Sequence, residues 1–299
     1  MAEPAIPPAV SCANLLAGLS ADELRALVER ALAEDLGRGD VTTQLTIPPA
    51  LKARGELIAQ QDLVLAGLPV AEAVFKTLDP SIEFERLAED GTAVAARTRL
   101  ARVTGKAATL LAGERVALNF LQRLCGIATM TRDFKSKLAG LKTELLDTRK
   151  TTPGLRALEK YAVRMGGGSN HRARLDDGIL IKNNHLSLAG GIRTAVERAR
   201  SLRPGVAPRL SIEVEVRSAV ELEEAIAAGA EAVLLDNMTP AQVRDCVARA
   251  AGRVRLEVSG GVSAENIRAY AETGVDSISV GALTHSAPAA DIHFLIQPL

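Results

Sequence analysis

After about residue 140 the chain alternates short apolar segments with segments of helical spacing. Apolar runs of this length are typical of strands buried on both faces, and βα alternation predicts a parallel sheet. The later strands begin only about 20 residues apart, a spacing tight enough for a barrel. Six strands are clear, so an eight-stranded barrel would need two cryptic strands, and otherwise the barrel is incomplete. The six predicted strands are TELLDT (143–148), GILIK (178–182), SIEVEV (211–216), AVLLD (232–236), RLEVSG (255–260) and SISVG (277–281).

Before about residue 105 the pattern is mixed. Ser20 and Glu23 form a capping box ahead of a helical apolar repeat, and residues 34–40 form a glycine-rich loop. Short strands interrupted by a helix predict an α+β layer. The strands predicted in this part of the chain are 55–61, 62–67, 82–88 and 100–106. Over the whole chain, the helices predicted to follow this first one are 69–78, 106–138, 155–165, 190–202, 218–229, 240–250 and 264–273. Ser218 and Glu221 predict a second capping box.

Composition narrows the function classes. The chain has 299 residues, 47% of them hydrophobic, with 36 basic and 36 acidic residues. A neutral chain with 2% aromatic residues and no Trp argues against nucleic-acid binding by a basic surface or by base stacking. No apolar run is long enough for a membrane span, and MAEPAIPPAV resembles a loose tail more than a secretory signal. We therefore expect a cytoplasmic protein whose Cys12, Cys125 and Cys246 are free, buried or semi-buried thiols.

Polar residues gather where the predicted strands end. In parallel α/β folds the carboxyl ends of the strands form the site, so these groups are expected on one rim. They are Asp147 to Lys150, Lys182 to His185, Glu213 and Glu215, Asp236 and Asn237, Ser259 to Gly261, and Gly281 and Ala282.

The segment from Asp147 to His185 is locally basic and contains His171 as well. Positive groups directed into one site repel one another, which predicts an anionic ligand. Arg149 and Arg172 suit bidentate capture of a carboxylate or phosphate. By contrast, the spacing of Arg156, Lys160 and Arg164 predicts a solvated helix face. The triple glycine at 166–168 precedes His171 and favours a binding loop.

Glu215 and Asp236 end two consecutive strands. In a cationic pocket such paired carboxylates indicate Mg²⁺ or the hydroxyl groups of a sugar, and paired glycosidase acids are the alternative. Glu213 lies on the same side of its strand, and the sequence favours Glu215 as the residue nearer the site without settling the choice.

Two glycine loops follow the last two strands. Ser259-Gly260-Gly261 and Val280-Gly281-Ala282 have the form of a barrel phosphate site built from backbone N–H groups. No P-loop, nucleophile elbow or dinucleotide motif is present, and the histidines lack the spacing of a zinc site. His285 and His293 are expected to be structural.

Several segments together resemble the quinolinate phosphoribosyltransferase family. These are DTRKTTPGLR (147–156), GGGSNHRARLDDGILIKNNH (166–185), IEVEV (212–216), LLDNM (234–238), LEVSGGV (256–262) and VDSISVGALTHS (275–286), with EDLGRGDVTT (34–43) and ERVALNFLQRLCGIAT (114–129). The resemblance implies transfer of phosphoribose from phosphoribosyl pyrophosphate to quinolinate. Pyrophosphate and CO₂ are released, and the product is nicotinate mononucleotide, a precursor of NAD.

The resemblance also implies an α/β fold with an N-terminal sandwich (1–116, joined by 287–299) and an incomplete parallel barrel (117–286). It implies a homodimer or higher homo-oligomer, with no nucleic-acid or membrane partner and with Mg²⁺ as cofactor. Lys150, Lys182, Glu215 and Asp236 would be catalytic, and the two carboxylates would hold Mg²⁺ directly or through water or ribose hydroxyls. The implied substrate-binding residues are Arg115 (from a partner subunit), Thr148, Arg149, Lys150, His171, Arg172, Lys182, Glu215, Asp236, Ser259, Gly260, Gly261, Val280, Gly281 and Ala282.

The residues leave three alternative functions open. A Schiff-base aldolase would use Lys150 or Lys182 with the same phosphate site, and borohydride trapping would reveal it. A related phosphoribosyltransferase would take a different acceptor. A non-catalytic phosphosugar sensor would have no need of both Glu215 and Asp236.

Overall fold

The computed structural model describes residues 18–299, so the predicted N-terminal tail and Cys12 lie outside the described residues. The helices in this range are α1 (Ala21–Leu36), α2 (Val41–Thr46), α3 (Leu68–Leu78), α4 (Ala107–Lys137), α5 (Arg156–Met165), α6 (Asn183–Ala189), α7 (Ile192–Val206), α8 (Ala219–Ala228), α9 (Pro240–Ala250), α10 (Ile267–Ala271) and α11 (Ala282–His285). The strands are β1 (Lys52–Ala59), β2 (Leu63–Val64), β3 (Glu83–Arg86), β4 (Ala93–Val94), β5 (Arg99–Lys106), β6 (Glu144–Leu146), β7 (Ile179–Ile181), β8 (Ile212–Val216), β9 (Ala232–Asp236), β10 (Arg255–Ser259), β11 (Ser277–Ser279) and β12 (Ile292–Pro298).

The chain divides into two compact units. The first comprises residues up to Thr129, Ala157–Gly166 and Ala287–Leu299, and the second comprises Met130–Arg156 and Gly167–Ser286. The division after Thr129 falls inside α4, a helix of 31 residues. The boundary predicted between residues 116 and 117 also lies inside this helix, where no break in secondary structure marks it.

The first unit is built on an antiparallel sheet of order β12-β1-β5-β3. One face of the sheet packs against α3, where the Phe75 ring lies 5.6 Å from Phe294 and 6.3 Å from Phe84. A Cβ on Gly55 would lie 2.1 Å from the Phe294 ring, so glycine is what allows this ring to cross β1. The capping box of Ser20 and Glu23 begins α1, as predicted.

The second unit holds a parallel six-stranded sheet of order β6-β11-β10-β9-β8-β7. Each strand lies within one of the six predicted apolar segments, and α6 to α11 follow the strands from β7 onward. The α/β class is therefore confirmed, and the strand order is consistent with an incomplete barrel. The sequence missed the elements α2, α6, α11 and β4, because each is too short to show a period, and it also missed the seven-residue strand β12.

The second capping box is only half formed. The Ser218 hydroxyl accepts from the Glu221 N–H and caps α8, as predicted. The Glu221 carboxylate, however, accepts from the N–H of Arg217, one residue before the cap.

The prediction of a solvated face on α5 is wrong for Lys160. Lys160 is 3% exposed, and Glu159 beside it is fully buried. The helix is buried on most of its surface, with Leu158 and Tyr161 also inside the first unit. Sequence spacing identifies a shared face but does not reveal that the protein covers it.

The buried Glu159 carboxylate accepts two hydrogen bonds from Arg123, from Nη2 at 2.8 Å and from Nε at 3.1 Å. We expect Arg123→Ala to lower the free energy of unfolding by about 3 kcal/mol, because it removes the guanidinium from a buried carboxylate. Urea unfolding measures this loss. The exposed i,i+4 pair of Arg249 and Asp245 is the control, and Arg249→Ala should leave the urea midpoint close to that of the wild-type protein. Equal losses for the two variants would contradict the role given to burial.

Cys125 and Cys246 are free and buried, as expected for those two residues. Burial raises the pKa of the Cys125 thiol to about 12, so it is not a nucleophile. Over residues 18–299, none of the helices has the length and apolar composition needed to cross a bilayer.

Candidate functional site

Polar side chains occupy one face of the six-stranded sheet near the carboxyl ends of its strands. Paired residues on parallel strands point to the same face, and the register pairs Ser259 with both Asp236 and Ser279. Glu257 precedes Ser259 by two residues, and Glu213 and Glu215 share this face on β8. Glu215 and Glu257 are buried. The second unit thus brings together, on one face, groups that the sequence spreads over four strands.

The loop after the triple glycine is attached to the end of β6 by a buried carboxylate. Asp147 is fully buried, and it accepts from the Asn170 amide at 2.6 Å and from the His171 N–H at 2.9 Å. Farther along, the Asp177 carboxylate accepts from the N–H groups of Ala173 and Arg174. This binding loop is therefore fixed at both ends by carboxylates.

Arg149 and Arg172 are both partly buried. Burial lowers the pKa of Arg172 and the positive charge of Arg149 lowers it further, while Asp177 and Glu213 act in the opposite direction. Arg172 Nη1 donates to the Gly178 carbonyl at 2.8 Å. Arg149 Nε is buried and has no hydrogen-bond partner within residues 18–299. An anion between the two guanidiniums would satisfy this donor and offset their repulsion.

The two candidate lysines have exposed side chains on fixed main chains. The Lys150 N–H donates to Thr148 Oγ1 at 3.0 Å, and its carbonyl accepts from Thr284 Oγ1 at 2.8 Å. Lys182 immediately precedes α6, and its N–H donates to His185 Nδ1 at 2.9 Å. Both ammonium groups are therefore available to a bound anion.

The structure separates the roles of the two glutamates on β8, which the sequence left open. Glu215 Oε1 accepts from the side-chain amide of Asn183, at the start of α6. Glu213 Oε2 instead lies 3.4 Å from His171 Nε2. Asp236 accepts from the Asn237 amide at 3.0 Å and lies 3.5 Å from Arg217 Nε.

The two glycine loops lie against these groups. Gly260 has φ +90°, and a Cβ there would be 2.3 Å from Asn237 Oδ1. A Cβ on Gly281 would be 3.0 Å from Lys150 Cδ and 3.2 Å from His285 Nε2. Glycine therefore lets neighbouring side chains lie close to the main chain at both turns, and a turn that directly follows a strand is the kind of position at which backbone N–H groups bind phosphate. The flanking predicted residues are Ser259, Gly261, Val280 and Ala282, of which Val280 is buried.

Sequence reasoning missed some residues of the site. Glu257 and Arg217 contact predicted residues, and strand alternation back from Ser259 is a signal that could have identified Glu257. His285 and His293 are both exposed, and the expectation that they are structural stays a prediction. His285 lies beside the Gly281 loop, four residues after its glycine.

Arg115 belongs to the first unit, unlike the other predicted site residues. It is exposed on α4 and lines a cavity of about 1030 Å³ together with Arg97, Arg99, Gln122 and His293. Its contribution to a partner's site stays a prediction.

Comparison with known proteins assigns both halves of the chain to the same family. Residues 40–125 match the family description "Quinolinate phosphoribosyl transferase, N-terminal domain", and residues 127–295 match the C-terminal domain of the same family. The chain is 46% identical over 274 residues to a probable nicotinate-nucleotide pyrophosphorylase (carboxylating) of Synechocystis sp., covering 90% of this chain and 91% of that protein. It is 42% identical over 270 residues to the protein of the same name in Bacillus subtilis, covering 90% and 92%. The solved structure of nicotinate-nucleotide pyrophosphorylase from Francisella tularensis is similar with a TM-score of 0.89 and 41% identity, covering 94% of this chain and 99% of that one.

Proposed function

The chain belongs to the quinolinate phosphoribosyltransferase family, and from this we infer that it transfers phosphoribose from phosphoribosyl pyrophosphate to quinolinate in NAD biosynthesis. The reaction is accompanied by decarboxylation and gives nicotinate mononucleotide, pyrophosphate and CO₂. The protein is thus a phosphoribosyltransferase of the decarboxylating type.

The observation that carries the substrate assignment is the pair of guanidiniums of Arg149 and Arg172. They are close enough for one to lower the pKa of the other, and Arg149 retains a buried donor without a partner. Quinolinate carries two adjacent ring carboxylates, which match two guanidiniums better than a neutral sugar does. We assign these two residues to quinolinate, together with Lys182.

The carboxylates of Glu215 and Asp236 are the groups in this site that fit Mg²⁺. They supply hard oxygen donors at the ends of adjacent strands, and the neighbouring lysines attract the pyrophosphate that accompanies the metal. They would hold the ion directly or through water or the ribose hydroxyls. When bound, Mg²⁺ supplies neutralisation of the pyrophosphate charge.

The chain's own residues mainly position the substrates and neutralise charge. Lys150 and Lys182 offset the negative charge of the departing pyrophosphate, and the carboxylates of Glu215 and Asp236 favour the positive charge that develops on the sugar at C1′. The backbone around Gly260 and Gly281 receives the 5′-phosphate. The pyridine nitrogen attacks C1′ as pyrophosphate leaves with the electrons of the C1′–O bond. The bond between C2 and the 2-carboxylate then breaks to release CO₂, and its electron pair stays on C2, where the positive ring nitrogen beside it stabilises it. A proton from water then binds to C2 and gives nicotinate mononucleotide.

The proposed function is tested by CO₂ release from quinolinate labelled at the 2-carboxylate. Release should require the enzyme, phosphoribosyl pyrophosphate and Mg²⁺ together, and a chelator should stop it until Mg²⁺ is restored. If the folded protein binds phosphoribosyl pyrophosphate but releases no CO₂, the acceptor assignment is wrong and a related phosphoribosyltransferase reaction takes its place. Release without added metal would contradict the assignment of Mg²⁺.

We also propose a homodimer or higher homo-oligomer in which Arg115 completes the site of a partner subunit. Arg115→Ala and Arg172→Ala should each be nearly inactive alone. Co-refolded in equal amounts, they should regain roughly a quarter of the wild-type activity, because half of the dimers would contain one intact site. Separately refolded and then mixed samples without exchange are the control. No recovery in hybrid dimers would show that Arg115 acts within its own subunit.

A cytoplasmic location is part of the proposal. It rests on the composition and on a substrate pair that belongs to NAD synthesis, and fractionation of cells that produce the tagged chain tests it.

A further inference from the structure

Three side chains beneath the predicted quinolinate pocket form a cluster to which the proposed reaction gives no separate roles. His171 Nε2 lies 3.4 Å from Glu213 Oε2 and 3.5 Å from Glu257 Oε2. The side chains are 15%, 14% and 6% exposed, respectively, so the cluster is largely shielded from solvent. Its ligand atoms all lie within 4.8 Å of one another, a spacing that would also suit a metal ion.

The other ring nitrogen of His171 identifies the tautomer. Nδ1 accepts a hydrogen bond from the N–H of Arg172 at 2.8 Å, so this nitrogen carries a lone pair and no proton. The proton of a neutral ring is therefore on Nε2, where it faces the two carboxylates. An imidazolium would direct Nδ1–H at the Arg172 N–H, and a metal at Nε2 would need the lone pair that this tautomer lacks. The hydrogen bonding thus argues against both a cationic ring and a metal site.

The cluster is connected to the substrate-binding guanidinium through the main chain. The Arg172 N–H rests on the His171 ring, and the His171 N–H is held by the buried Asp147. Beyond this point the Arg172 side chain extends to the Gly178 carbonyl. The orientation of the imidazole consequently fixes the position of the Arg172 main chain, from which the side chain extends.

Glu257 has the properties of a supporting residue. It is buried, and its Oε1 has no hydrogen-bond partner in the described part of the chain. Burial raises the pKa of Glu257 to about 7 and the Glu213 carboxylate adds to the rise, whereas a positive charge on His171 would oppose it. Burying a carboxylate that has an unpaired oxygen costs free energy, and this favours a role for Glu257 in holding the His171 ring over a role in core packing.

We propose that His171, Glu213 and Glu257 are positioning residues for Arg172. The neutral imidazole holds the Arg172 main chain through Nδ1, and the two carboxylates hold the imidazole through Nε2–H. This inference rests on the proposed function in one respect, namely that Arg172 binds quinolinate. It assigns His171 a different task from that of a positive group facing the substrate.

The first test is ¹⁵N NMR of the histidine side chains in the wild-type protein. The chain has four histidines, and His171→Gln identifies the signals of residue 171. At neutral pH we expect one protonated and one unprotonated ring nitrogen, with the proton on Nε2, both before and after quinolinate is added. Protonation of both nitrogens, or of Nδ1 alone, would overturn the proposal. This readout does not depend on turnover, so it remains decisive if the proposed reaction fails.

The second test uses two amides that each replace one end of the ring. His171→Asn places an amide oxygen near the position of Nδ1, whereas His171→Gln reaches the position of Nε2 and leaves Arg172 without its acceptor. We expect quinolinate KM to rise about tenfold in His171→Gln and clearly less in His171→Asn, with little change in the KM of phosphoribosyl pyrophosphate. Equal effects of the two His171 variants, in proteins with unchanged melting temperature, would show that Nδ1 does not position Arg172.

Discussion

Replacing Arg172 with alanine is expected to lower kcat/KM for quinolinate by at least about 30-fold, since truncating one member of a buried charge pair costs about 2–5 kcal/mol. The guanidinium is partly buried, close to Arg149, and held by the Gly178 carbonyl in the binding loop. Its loss removes one of the two fixed partners of the substrate carboxylates. Steady-state kinetics with quinolinate varied at saturating phosphoribosyl pyrophosphate measures the effect, which should be mainly on KM.

Arg174→Ala is the matched control for this variant. Arg174 belongs to the same loop and carries the same charge, but its side chain is exposed and only its N–H is held, by Asp177. We expect quinolinate saturation in this variant to be close to that of the wild-type protein. If Arg172→Ala also saturated normally, Arg172 would not bind quinolinate, whatever happened to kcat.

Gly260→Ala is expected to lower kcat/KM for phosphoribosyl pyrophosphate by about 100-fold. The φ of +90° strains an alanine by about 1–3 kcal/mol, and its Cβ would lie 2.3 Å from Asn237 Oδ1. Because the Asn237 amide donates to Asp236, the displacement should reach the carboxylate assigned to ribose and Mg²⁺ as well as the phosphate loop. Kinetics with phosphoribosyl pyrophosphate varied, together with the melting temperature, measures both consequences.

Gly252→Ala separates backbone strain from steric contact. Gly252 has φ +74° in the turn before β10, but no atom lies within 4 Å of the position its Cβ would take. It should lose a similar amount of stability through strain and retain the KM for phosphoribosyl pyrophosphate. Equal kinetic losses in the two variants would mean that general destabilisation, and not the geometry of the Gly260 loop, is responsible.

The sequence alone determined the strand plan of the second unit and gave the candidate residues of its site. The apolar runs at 211–216 and 232–236 correspond closely to β8 and β9, because strands buried on both faces must be apolar along their length. Glu215, Asp236 and the glycine loops could be predicted since polar residues at the ends of such runs have no structural purpose in the core. The resemblance of the ordered motifs to a family then identified the reaction.

Strand alternation placed Glu213 and Glu215 on one face, but it did not reveal that one contacts His171 and the other Asn183. Lys160 has the spacing of a solvated residue and is nevertheless buried, because tertiary contacts that helical spacing does not show cover it. Glu257 lies in an apolar run, where its neighbours in the sequence give no sign of a partner. Contacts between elements far apart in the chain decide such cases, because pairing, burial and hydrogen bonding depend on which strands and loops become neighbours and not on local periodicity.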